Sequence, residues 1–177
     1  MAKADRRTID KIFVLLGVVT TVVLLAVGGL AWYAYRFADN TVSTELASQK
    51  IYFPDKGSPA LDPAEFPDLQ KYAGQLVDNG DKAKAYANGF IGRHLEKIAG
   101  GKTYSEVSTL AKADPTNVTL QQQKQSLFQG ETLRGLLLGD GYAYWVFGQI
   151  SEYAAIAAFA GAGVMAVLVL LGLRRIL

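Results

Sequence analysis

Cysteine is absent from the 177 residues, histidine occurs once and methionine twice. Disulfides, thiol nucleophiles and thiolate metal ligands are therefore unavailable, and any fold must be held by packing alone. Proline is scarce, and four of the five prolines fall between positions 54 and 67. The remainder is free to form long helices. No G-x-S-x-G or S-x-x-K motif is present, so the chain carries no recognisable nucleophile site. Basic and acidic groups nearly balance, at 18 and 16. No basic block stands out, which excludes a nucleic-acid partner of the usual electrostatic kind.

Charge is missing altogether in two places, Ile12 to Tyr35 and Tyr153 to Leu173. As helices these stretches would be roughly 36 and 32 Å long, enough for a hydrocarbon core of about 30 Å. The first holds 13 Val, Leu, Ile or Phe residues between Ile12 and Leu30. A secretory signal peptide would have a shorter apolar core and a small-residue cleavage site. This stretch instead ends in Trp32, Tyr33 and Tyr35, an aromatic belt suited to the headgroup level. Lys3, Arg6, Arg7 and Lys11 precede the first span, and Arg174 and Arg175 follow the second. The positive-inside rule then places both termini in the cytoplasm. The sequence thus predicts an all-α protein in which two transmembrane helices flank a helical extracytoplasmic domain. Its segments are a tail over residues 1–11, a span over 12–35, a domain over 36–152, a second span over 153–173 and a tail over 174–177.

Within the outer segment, Ala38, Val42 and Leu46 extend one apolar face of the first helix to about Gln49. The proline cluster predicts a strap across the surface, ending at Asp62-Pro63, where a short helix should begin. After the break at Asn79-Gly80-Asp81, Ala83, Tyr86, Ala87, Phe90, Ile91, His94, Leu95 and Ile98 mark the clearest amphipathic helix. Gly100-Gly101 should stop it, and Thr103-x-x-Glu106 is a capping box opening the next helix. A further helix follows Asp114-Pro115. Asp140-Gly141 is a turn signal before the second span.

Few residues invite a chemical role. His94 is a metal or haem ligand on one reading and a boundary histidine with one hydrogen bond on the other; no second ligand stands at suitable spacing. No cofactor or metal site is expected. Asn117-Val118-Thr119 fits a glycosylation sequon, a pattern common by chance. Neither span carries a charge in its interior, which argues against a pump or ion path. The second span carries small residues at Ala154, Ala158, Ala162 and Ala166, and the first carries Gly17, Thr21 and Gly28. Such ridges allow close helix approach in lipid, either between the two spans or with a partner helix. Ala155 lies about 100° from Ala154, on a neighbouring face. Arg134, Leu137, Tyr144 and Trp145, in the charged-to-aromatic stretch before the second span, are the remaining candidate contact residues.

Gly130-Glu131-Thr132-Leu133-Arg134-Gly135-Leu136-Leu137-Leu138, with Ala83-Lys84-Ala85-Tyr86-Ala87 and Gly101-Lys102-Thr103-Tyr104-Ser105-Glu106-Val107, resembles a group of two-span actinobacterial membrane proteins of undefined function. The resemblance covers roughly residues 8 to 175. Members are often labelled aromatic ring-opening dioxygenase small subunits. A facial non-haem iron site needs two histidines and a carboxylate, and this chain has one histidine. The expected function is an accessory or structural subunit of a larger complex in the bacterial plasma membrane. Its expected partners are the lipid bilayer and other membrane proteins or a second copy of the chain. A sensor or ligand-binding module, or a cell-envelope enzyme, is the alternative.

Overall fold

The computed structural model describes residues 6–176, and every regular element among them is helical. Helix α1 runs Arg6–Ser48. A strap with two 3-10 turns, Pro59–Leu61 and Pro67–Tyr72, leads to α2, Gly80–Lys84. The same helix continues as a π segment, Ala85–Gly92, and as α3, Arg93–Ala99. Then follow α4, Tyr104–Ala113, and α5, Val118–Leu136. A second π segment, Leu137–Ala143, joins α5 without a break to α6, Tyr144–Ile176. The tails predicted over 1–11 and 174–177 lie partly outside the described residues.

The helices divide into two compact units. One ends at Phe37 and resumes at Phe147; the other is Ala38–Val146. Two of the helices are long and apolar enough to cross a membrane. In the first unit they are antiparallel: a side chain at Gly17 would meet Val169, one at Gly28 would meet Phe159, and one at Gly172 would meet Val14. The covered positions follow a heptad rhythm. On α1 they are Asp10, Val14, Gly17, Thr21, Leu24, Gly28, Ala31 and Tyr35; on α6 they are Gly148, Ser151, Ala155, Ala158, Ala162, Met165, Val169 and Gly172. Steps alternating between three and four residues give the 3.5-residue repeat of a left-handed helix pair. Small residues at the seam let the backbones approach closely, which is how helices gain packing where lipid offers no hydrophobic drive. Two hydroxyls inside this unit bond their own helix: Thr21 Oγ1 donates to the Gly17 carbonyl at 2.8 Å, and Ser151 Oγ donates to that of Phe147 at 2.9 Å. Neither is left unsatisfied in an apolar setting.

The second unit is built on a different rhythm. Ala83, Ala87, Ile91, Leu95 and Ala99 are all buried, four residues apart throughout. On a plain α-helix a four-residue stripe drifts by about 40° at each step. A π turn holds more residues and rotates the stripe back, so the first π segment keeps these five on one face. They meet Phe53, Leu61, Phe66, Leu69 and Val77 from the strap, and Val42 and Leu46 from α1. The strap is tied on by short antiparallel pairing, with Phe53 N–H donating to the Gln75 carbonyl at 2.9 Å and Val77 N–H to that of Ile51 at 2.8 Å. Gly100 and Gly101, at φ +58° and +79°, end α3 in the left-handed region. Both halves of the Thr103–Glu106 capping box are made. Asn117, the sequon residue, is the N-cap of α5, its Oδ1 accepting from Leu120 N–H at 3.1 Å.

Candidate functional site

Arg134 is the most connected side chain of the helical domain. Its Nε donates to the Ala87 carbonyl at 3.1 Å, one terminal nitrogen donates to Asn88 Oδ1 at 3.1 Å, and the other donates to both carboxylate oxygens of Glu131 at 2.9 Å. Ala87 and Asn88 belong to the first π segment, where bonding to more distant N–H groups loosens the ladder of carbonyl partners. The guanidinium fork spans that defect from α5. Its fixed geometry is the reason a lysine would not replace it. Arg134→Ala should destabilise the domain by about 1.5–3 kcal/mol, the scale for hydrogen bonds made by a charged group. Arg134→Lys should recover less than half of that loss in chemical denaturation followed by helical circular dichroism.

His94 serves the same segment. Its Nδ1 lies 2.9 Å from the Phe90 carbonyl, and its ring stacks on Phe66 at 5.3 Å and tilts against Phe90 at 4.5 Å. Phe66 also carries Arg93 and Lys97 over its face. His94 thus makes one hydrogen bond and two ring contacts. Among the described residues no three His, Cys, Asp or Glu side chains come together to hold a metal ion.

The predicted contact residues separate into distinct environments. Leu137 is fully buried in the core of the helical domain, so its expected place on a contact surface is corrected. Tyr144 and Trp145 are half-buried against the same core, with Trp145 seated where a side chain on Gly80 would otherwise be. Arg134 faces the π segment. In the helix pair, Ala158 and Ala162 are buried in the seam, Ala166 is half-buried and Ala154 is exposed. Ala155, set aside in the sequence as a neighbouring face, is instead the seam residue, because the buried stripe follows the heptad and not the four-residue ridge. The expected turn at Asp140-Gly141 is a π segment inside a continuous helix. There Gly141 allows close passage of Ala83 and Leu46, which a Cβ would crowd at 3.2 and 3.4 Å.

A cleft of about 520 Å³ in the domain is open and mixed in charge. Glu96, Lys102, Tyr104 and Ser105 stand round a floor of Leu95 and Leu127, with the Glu131–Arg134 pair on one wall. Elsewhere in the domain, two carboxylates have their charged form held by hydrogen bonds. Hydrogen bonding to Arg93 lowers the pKa of Asp68 below its ordinary 3.8, and the Thr103 backbone N–H lowers that of Glu106 below its ordinary 4.5. A depressed folded-state pKa adds stability that is complete above the unfolded value and is lost as pH falls through the folded one. Melting temperature should therefore hold from neutrality down to about pH 5 and fall below the ordinary values of these two groups. The double variant Asp68→Asn, Glu106→Gln should show a shallower acid limb.

No protein-family model matches this chain, and neither a curated protein nor a solved structure matches it.

Proposed function

We propose that the chain is an integral protein of the bacterial plasma membrane with both termini in the cytoplasm and residues 36–152 outside. We further propose that it works as an accessory or structural subunit of a larger complex. One observation carries the membrane reading: the two apolar helices cover only a narrow seam of small residues and leave their large side chains uncovered. Only 11% and 17% of their most apolar windows is buried. Leu, Val, Ile and Phe residues such as Phe13, Leu16, Val23, Leu30, Ile156 and Leu171 remain exposed around the pair. The core helix of a water-soluble protein would be mostly covered, whereas lipid is the natural neighbour of such faces. The antiparallel arrangement fits basic residues at both chain ends on one side of a bilayer.

The subunit reading is supported by the lack of any catalytic motif in the sequence and by where the outer domain is apolar. On α5, Phe128 and Leu136 are exposed, and Tyr104 of α4 packs against Phe128 at 5.9 Å. This aromatic edge replaces Leu137 as the proposed protein-contact surface of the outer domain. The test is purification in mild detergent with identification of co-purifying membrane proteins. Reproducible partners that Phe128→Asp releases, with the domain still folded, support the reading. A monomer that carries no partner at all overturns it and favours the ligand-binding alternative centred on the 520 Å³ cleft.

A further inference from the structure

Beside the seam, at the end of the helix pair where the chain enters and leaves, lies a groove of about 300 Å³. Its walls are apolar, from Phe13, Val14, Met165, Leu168 and Val169, and glycines 17 and 172 line its floor. Its mouth has one residue of each sign, Asp10 and Arg175. These two make no ion pair with each other, and the Arg175 guanidinium has no protein partner among the described residues. Around the mouth, Arg6, Arg7, Lys11 and Arg174 are exposed as well. Among the described residues at this end, five cations thus stand against the carboxylate of Asp10.

We infer that this groove holds one acyl chain of an anionic glycerophospholipid of the cytoplasmic leaflet, with its phosphate on Arg175. The inference rests on the proposal that the pair spans a membrane. The apolar walls of the groove suit a hydrocarbon chain, with its polar groups confined to the mouth. The unpaired guanidinium at its rim provides the planar donor fork that binds phosphate. A basic pocket between helices on the cytoplasmic side is the setting in which anionic lipid headgroups are recognised. Asp10 disfavours a second phosphate and limits the site to one headgroup.

The test is native mass spectrometry of the intact protein in mild detergent, titrated with phosphatidylglycerol or phosphatidylcholine. The wild type should retain phosphatidylglycerol about fivefold more than phosphatidylcholine, the scale for one basic side chain at a membrane surface. Arg175→Gln should bring the ratio near one, Arg174→Gln should leave it unchanged, and Leu168→Trp should reduce retention of both lipids by filling the groove. Equal retention of the two lipids by the wild type would overturn the inference. Equal losses in Arg174→Gln and Arg175→Gln would do so too, because diffuse surface charge would then be the cause. So would displacement of phosphatidylglycerol by excess inorganic phosphate, since the headgroup alone would then be bound. Arg175 is exposed, so its variant reads out whether or not Leu168→Trp folds. Alkaline carbonate extraction separates the two failures: release of the wild type from membranes sinks the spanning proposal, while retention without lipid preference sinks only the groove.

Discussion

Leu137→Ala should destabilise the helical domain by about 2–5 kcal/mol, and Leu136→Ala by less than about 0.5 kcal/mol. The two residues are neighbours in a run of three leucines, yet Leu137 is 1% exposed and Leu136 is 54% exposed. Truncating Leu137 removes its apolar area and leaves a cavity beneath the second π segment. That cavity cannot collapse easily, because Ala83, Leu46 and Gly141 already meet closely there. Chemical denaturation of the detergent-purified protein, followed by circular dichroism, measures both. Equal effects at the two positions would mean that the leucine run is placed wrongly.

The double variant Ala155→Leu, Ala162→Leu should separate the helix pair, while Ala154→Leu should be tolerated. Ala155 and Ala162 are one heptad apart and almost fully covered. Each isobutyl side chain enters space already held by the opposing helix, at about 1–3 kcal/mol per site. Ala154 faces outward, where leucine is as comfortable in hydrocarbon as alanine. Because the chain has no cysteine, a Gly17→Cys, Val169→Cys pair reports the seam directly: a Cβ at Gly17 would lie 2.6 Å from Val169 Cγ2. Oxidative cross-linking should be efficient in the parent and greatly reduced in the double variant. If Ala154→Leu has the larger effect, the four-residue ridge is the contact and the heptad seam is not.

Much of the helical layout was legible because it depends on local chemistry. The Thr103–Glu106 capping box and the Gly100-Gly101 stop each act within one turn and appear as read, and the two charge-free stretches lie within two long apolar helices. The phase of the second apolar helix was not legible from its alanines alone. Ala154, Ala158, Ala162 and Ala166 form a four-residue series, but Ala155, Ala158 and Ala162 form a heptad series of equally small residues. Only the opposing helix selects between them. Gly17 and Gly28 together with the α6 glycines at 148 and 172 carried the missing signal, since they fall on the heptad. The π segments had a signal as well: Ala83, Ala87, Ile91, Leu95 and Ala99 keep a four-residue step that an ordinary α-helix would not hold on one face. Asp140-Gly141 was misread because a turn dipeptide and a close helix crossing both favour glycine. Arg134 is read from the sequence only as a candidate contact residue in a charged-to-aromatic stretch. Its partners at Ala87 and Asn88 are more than forty residues away, beyond the reach of any local pattern.

The central claim, an antiparallel pair crossing the membrane with the helical domain outside, is tested most directly by thiol accessibility. Lys56 is exposed in the strap and Arg174 is exposed at the end of α6, and neither makes an ion pair among the described residues. Single variants Lys56→Cys and Arg174→Cys are treated on intact cells with a membrane-impermeant maleimide, before and after lysis. Labelling of position 56 on intact cells, with position 174 labelled only after lysis, is the predicted result. Labelling of position 174 on intact cells with position 56 protected, or protection of both until lysis, would contradict it.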